Sequence, residues 1–159
     1  MATVADRTVR LSVLDRLQGD DLPEHISWTM SVQRYKAAVL RDLDWLLNTR
    51  RTSQPAPEDM PELRHSLYHY GLADITSMSG DSTTVRRWLV RHVEEIIEQF
   101  EPRLAEVRVV PVTKDDGNVR SVRFSIEALL KMDPNPERVV FDTVLEITSG
   151  KFQVKSRHA

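Results

Sequence analysis

Glu101-Pro102-Arg103-Leu104 is the point at which the period of the sequence changes. Before it, Val85, Trp88, Leu89, Val93, Ile96, Ile97 and Phe100 recur at spacings of three and four, which describes one buried helix face. After it, apolar and polar residues alternate, which describes a half-buried strand. Pro102 lacks an amide hydrogen and restricts the residue before it, so the helix has to end here. Helices first and strands afterwards reads as α+β, with N-terminal helices packed on a C-terminal four-stranded antiparallel meander.

Downstream of the break, Ala105, Val107 and Val109 alternate with Glu106, Arg108 and Val110, and Asp115-Asp116-Gly117-Asn118 is a hairpin signal. Val122, Phe124, Ile126, Ala128 and Leu130 then alternate with Arg123, Ser125 and Glu127. Pro134-Asn135-Pro136 turns the chain. Val139, Phe141, Leu145 and Ile147 alternate with Asp142 and Glu146, and Ser149-Gly150 turns it again into Phe152 and Val154. Short connections favour antiparallel neighbours, so residues 103–156 predict a meander with one polar face, its apolar face covered by the helix stripe.

Upstream, Gly80-Asp81-Ser82 places Asp81 or Ser82 as the N-cap of the striped helix. On its other face Arg87, Arg91, Glu94 and Glu98 are spaced for ion pairs. Residues 62–70 predict a short helix with Leu63, Leu67 and Tyr70 on one face and Gly71 as its stop. Pro55, Pro57 and Pro61 make the preceding stretch a loop. Ser31 is the expected cap of an earlier helix carrying Val32, Tyr35, Ala38 or Val39, Asp42 or Leu43, and Leu46, with Arg50 and Arg51 at its negative end. That helix follows a polar stretch broken by Pro23, and before the stretch Leu14 and Leu17 with Val13 form a short apolar face that ends at Gly19. Residues 1–10 have no periodicity and are expected to be poorly ordered. The whole, 1–159, reads as one domain: a helical part over 11–100 and the strands over 103–156.

Composition excludes more than it identifies. Charged residues make up 29% with both signs interspersed and a net charge of −2, so no polyanion-binding surface is expected and nucleic acid is not a partner. There is no cysteine, hence no disulfide or thiolate chemistry. No apolar run reaches the roughly 20 residues of a membrane span, and the N-terminus lacks a secretory h-region. The expected location is the cytoplasm, without membrane insertion.

Candidate sites are few. His65 and His69 are spaced to face one side of a helix, but a third metal ligand is missing, so no metal and no cofactor are expected. His92 falls in the apolar stripe and reads as a satisfied core histidine. Ser and Thr residues lack the ordered His and acid of a triad. Trp45 reads as core, whereas Trp28 lies outside a periodic segment and is a candidate interface anchor. A carboxylate at Glu101 faces the negative end of a helix dipole, which costs a few tenths to about 1 kcal/mol unless a cation stands near. Arg103 is the local candidate for that cation, and a basic side chain of a partner is the other.

Four strings in order, Leu14-Asp15-Arg16-Leu17, Leu46-Leu47-Asn48-Thr49-Arg50, Tyr70-Gly71-Leu72 and Phe100-Glu101-Pro102-Arg103-Leu104, span nearly the whole chain. Together they resemble the wedge-forming baseplate proteins of contractile injection machines, the family that comprises TssE of type VI secretion and its phage-tail relatives. Ala73 departs from the pattern, which places proline before the acidic residue, here Asp74. The resemblance implies a non-enzymatic adaptor of the type VI secretion baseplate that joins TssF and TssG at the cytoplasmic side of a membrane-anchored complex. It also implies C-terminal strands that template the first ring of a TssB/TssC sheath. On this reading Glu101, Pro102, Arg103 and Leu104, with Leu14, Asp15, Arg16 and Leu17, are the partner-binding residues, Glu101 and Arg103 presenting paired charges. Because phage relatives carry a lysozyme-like label, the alternative is a peptidoglycan-cleaving glycosidase with Glu101 and either Asp142 or Glu146 as its carboxyl pair. At 6% aromatic residues, the chain has few rings for stacking sugars.

Overall fold

The structure is a computed structural model and describes residues 12–18, 27–74, 83–112, 121–133 and 135–157. Among these, helices α1 (Val13–Leu17), α2 (Trp28–Asn48) and α3 (Thr83–Phe100) precede strands β1 (Leu104–Pro111), β2 (Ser121–Leu130), β3 (Glu137–Glu146) and β4 (Lys151–Ser156). Each strand pairs antiparallel with the next, in the order β1-β2-β3-β4. The α+β meander read from the sequence is the fold. The expectations for residues 1–10, Gly19, Pro23, the cap at Asp81 or Ser82, the hairpin at 115–118 and Pro134 lie outside the described residues.

One core joins the two layers. Val107, Val109, Phe124, Ile126, Ala128, Leu130, Phe141, Leu145 and Phe152 come from one sheet face, Val39, Leu43, Leu46 and Leu47 from α2, and Leu89, Val93, Ile96 and Ile97 from α3. Helix α3 lies against β1 and α2 against β4.

Local chemistry corrects several boundaries. Ser27, not Ser31, caps α2, its Oγ accepting from the Met30 amide at 3.3 Å. Ser31 is buried inside the helix and donates to the Trp28 carbonyl at 2.8 Å. Arg50 and Arg51 lie beyond the end of α2, where the chain forms a short parallel bridge with Leu72. In that bridge the Leu72 amide donates to the Thr49 carbonyl at 2.8 Å and the Arg51 amide to the Leu72 carbonyl at 2.9 Å. Gly71 makes this approach possible: its φ is +100°, and a Cβ there would stand 2.3 Å from the Thr49 oxygen. Residues 62–70 are not one helix but two 3-10 turns, Pro61–His65 and Leu67–His69, with Leu67 exposed. Ser66 divides them, donating to the Leu63 carbonyl at 2.9 Å and accepting from the Tyr68 amide at 3.2 Å, local bonds that compete with a helix.

Two strand expectations also change. Ile147 lies in the turn after β3, and the core position between Phe141 and Leu145 is Thr143, buried with no partner for its hydroxyl among the described residues. In β1 the register passes from Ala105↔Leu129 to Arg108↔Glu127, so two residues oppose one and the strand bulges. Glu106 takes up the extra residue at φ +52°. Leu104, Val107 and Val109 therefore face the core, and Ala105, expected among them, is turned aside.

Candidate functional site

The corner between α3 and β1 is closed by its own backbone. The Glu101 amide continues the helix ladder to the Ile97 carbonyl at 2.8 Å, and the Leu104 amide closes a turn on the Glu101 carbonyl at 3.0 Å. Pro102 is exposed at the tip and Leu104 is buried beneath it. The end of β2 holds the corner from the other side, Lys131 donating through its amide to the Arg103 carbonyl at 2.8 Å and through Nζ to the Pro102 carbonyl at 2.9 Å.

Glu101 is only 4% exposed. Arg103 grips its carboxylate with two guanidinium nitrogens, Nε standing 2.6 Å from Oε1 and Nη2 bonding Oε2. The same Nη2 reaches Asp42 Oδ2 on α2 at 2.6 Å. Asp42 in turn accepts from Arg41 at 2.9 and 3.1 Å. Arg41 Nη1 lies 2.6 Å from Asp15 Oδ1 on α1, and Ser12 donates to the other oxygen of Asp15 at 2.7 Å. A continuous line of charges, Asp15, Arg41, Asp42, Arg103 and Glu101, thus ties α1 to α2 and α2 to the corner. The hydrogen bond from Arg41 holds the Asp15 carboxyl below its usual range against the opposing effect of burial. Burial works against the charge of Arg103, but the bonds to Glu101 and Asp42 outweigh it and raise its pKa.

The cation that Glu101 needs is therefore Arg103, and the structure brings the pair together while turning it into the protein rather than outward. The other candidate string behaves in the opposite way. Asp15 is buried at 2% exposure, while Val13, Leu14, Arg16 and Leu17 are exposed, Leu17 to 80%. Helix α1 docks by its acid and leaves its apolar side chains free.

The remaining candidates separate. Asp142 pairs with Arg157, whose Nε lies 2.9 Å away, and Glu146 accepts from Ser149 at 2.7 Å. Both carboxylates occupy the sheet face opposite the core, whereas Glu101 is locked to Arg103. His65 and His69 fall in separate turns, and the described residues contain no cluster that could hold a metal. His92 is not satisfied as expected: it stacks on Trp88 at 4.7 Å, but its Nε2 is buried with no hydrogen-bond partner among the described residues, and burial lowers its pKa. Trp45 is not core; it is 47% exposed with the Arg41 guanidinium 4.9 Å above its ring. Trp28 is the first residue of α2 and is also partly exposed. Glu94, expected in a surface ion pair, turns instead to the Val109 amide at 2.7 Å.

Sequence reasoning missed Arg41 and Asp42. The available signal was Asp42 itself, a charge at a position of the apolar stripe of α2. No helix among the described residues is long and apolar enough to cross a membrane.

Residues 33–135 match the sequence model of a family described as baseplate wedge protein gp25, a span that takes in most of α2 and all of α3, the corner, β1 and β2. A search of curated proteins returned no significant match. The matched span covers well over half of the chain: the protein belongs to the baseplate wedge protein gp25 family, the family of TssE, as the four strings implied.

Proposed function

We propose that this chain is a non-enzymatic wedge subunit of a type VI secretion baseplate, a single domain that joins TssF and TssG on the cytoplasmic side of the membrane complex and helps start the TssB/TssC sheath. Membership of the baseplate wedge family supports the structural role. The observation that carries the adaptor reading is the inverted docking of α1. A five-residue helix has no stability of its own, and here it is pinned by Asp15 with Val13, Leu14 and Leu17 facing away from the domain. An apolar edge held rigidly outward is suited to a partner groove. The buried Glu101–Arg103 pair acts indirectly in this reading, fixing the corner that carries exposed Pro102 and, through Asp42 and Arg41, the base on which α1 stands.

The test is co-purification with TssF and TssG. Leu14→Asp with Leu17→Asp is expected to abolish capture while leaving the melting temperature within about 2 °C of the parent, since both side chains are exposed. Capture at wild-type levels by this variant overturns the role of α1. The glycosidase alternative places a reactive carboxyl at Glu101, and the ion pairing of that group to Arg103 speaks against it. Cleavage of clean peptidoglycan that disappears in Glu101→Gln would establish it instead.

A further inference from the structure

Both outer edges of the sheet are met by helix side chains, and they are met differently. In an antiparallel pair, residues alternate between those bonded to the neighbouring strand and those whose amide and carbonyl point away from it. On β4 the outward set is Phe152, Val154 and Ser156; on β1 it includes Val109 and Pro111.

At Phe152 the outward groups are taken by the side chain of Asn48, the last residue of α2. Asn48 Oδ1 accepts from the Phe152 amide at 3.0 Å, and Nδ2 donates to the Phe152 carbonyl at 3.1 Å. A carboxamide offers one donor and one acceptor side by side, so Asn48 bonds Phe152 as a residue of a fifth strand would. On β1 the Val109 amide is taken by the Glu94 carboxylate at 2.7 Å, a charge-assisted bond, and Pro111 has no amide to offer. The β1 edge is sealed by a charge and a proline, devices that prevent strand addition. The β4 edge is closed by two neutral bonds from an exposed side chain, and the outward groups of Val154 and Ser156 follow directly beyond it.

Asn48 also has somewhere else to go. Its Nδ2 is 2.9 Å from the Asp44 carbonyl and 3.2 Å from Asp44 Oδ1, so on leaving Phe152 it keeps a partner within α2. An incoming strand would supply Phe152 with the bonds that Asn48 gives up. The exchange conserves hydrogen bonds, whereas displacing Glu94 from β1 would replace a charge-assisted bond by a neutral one.

We propose that Asn48 is a release latch: it closes the β4 edge of the free subunit and yields to an added strand, while the β1 edge stays shut. The latch itself stands on the geometry of the chain, and its release rests on the sheath-starting role proposed above, taken here to work by addition of a strand. The partner it fits is an extended segment of another chain pairing along Phe152, Val154 and Ser156.

Amide hydrogen exchange of the free protein reads the latch. The Phe152 amide is expected to exchange about tenfold more slowly than that of Val154, and Asn48→Ala to remove the difference. Equal exchange at Phe152 and Val154 in the wild-type chain, or unchanged Phe152 protection in a folded Asn48→Ala, overturns the latch. Should Asn48→Ala fail to fold, Asn48→Asp serves in its place, keeping an acceptor for the Phe152 amide while losing the donor to its carbonyl. Release is read by crosslinking with a thiol-specific photoreactive reagent, for which the cysteine-free chain needs only one introduced cysteine. With co-expressed TssB and TssC, Lys155→Cys on β4 is expected to crosslink, more strongly when combined with Asn48→Ala, and Val110→Cys on β1 is not. Crosslinking at Val110→Cys alone overturns the choice of edge. Crosslinking at neither position, with Phe152 protected as expected, overturns strand addition and release together while the latch stands.

Discussion

Arg103 Nη2 lies 2.6 Å from Asp42 Oδ2, although the two residues are 61 positions apart. That contact makes the corner after α3 and the middle of α2 one electrostatic unit, and its members are not equivalent. Glu101 is the buried end and Arg103 the shared cation. Arg103→Met leaves the Glu101 carboxylate buried without its charge partner and is expected to destabilise the protein by about 3 kcal/mol. Glu101→Gln leaves Arg103 still paired with Asp42 and should cost clearly less, on the order of 1–2 kcal/mol. Urea unfolding of the two variants checks the order, and equal losses would mean that Asp42 contributes nothing to holding Arg103.

Acid should release α1. The Asp15 carboxyl titrates below its ordinary value of 3.8 because Arg41 bonds its ionised form. A carboxyl whose folded pKa is depressed stabilises the docked state fully above the unfolded value, and the effect is lost as pH falls through the folded pKa. Protection of α1 amides is therefore expected to persist at pH 5 and to be lost progressively as the pH falls from 3.8 through the lower folded pKa. Asp15→Asn should show weakened protection at neutral pH as well, without loss of the α2–α3 core signals in the same exchange experiment.

His92 predicts a second pH response in a different window. Burial depresses its pKa below 6.5, and among the described residues a proton on Nε2 would find no acceptor. The unfolded chain then binds more protons than the folded one, so stability is full above about pH 6.5 and falls as the solution is acidified below it. His92→Phe keeps the ring on Trp88 and should flatten the dependence between pH 7 and pH 5 in thermal melts. An unchanged slope would assign the loss to carboxylates instead.

The parts of the fold that were legible are those with a period. The stripe from Val85 to Phe100 and the alternation of β2 follow from burying one face, and one face is what the structure buries. Contacts that join distant residues through single side chains had no such signal. Asp42 carried a faint one as a charge in the stripe of α2, but nothing local marks Asn48 as the partner of Phe152, 104 positions later. The bulge was hidden for another reason: its left-handed residue is glutamate, where a glycine would have announced it. The pair Glu101 and Arg103 was legible as a pair but not in direction, because helix-dipole reasoning asks for a cation without saying that burial accompanies it.

Gly71 is the position where a single methyl group should do the most damage. Its Cβ would meet the Thr49 carbonyl, a backbone atom fixed at the end of α2 by the bridge to Leu72, and its φ lies in the region open to glycine. Gly71→Ala is expected to cost at least about 2 kcal/mol, the strain of a left-handed residue added to the clash. The loss should appear in thermal unfolding and be accompanied by faster exchange of the Leu72 amide, which donates to Thr49.

Glu106 presents the reverse case. It holds φ +52° in the bulge of β1, a conformation that costs an ordinary L-residue roughly 1–2 kcal/mol. Its side chain is exposed, and no hydrogen bond or ion pair of that side chain occurs among the described residues, so removing it gives up little in the folded state. Glycine adopts this backbone freely but loses more chain entropy on folding, which offsets part of the relief. Glu106→Gly is accordingly expected to stabilise the protein by about 0.5–1 kcal/mol, measured as a shift in the urea midpoint at unchanged slope. A destabilised variant would show that the chain entropy of glycine outweighs the relief of strain, and Glu106→Asn, which tolerates the left-handed region without that entropy cost, would then retain at least the parent stability.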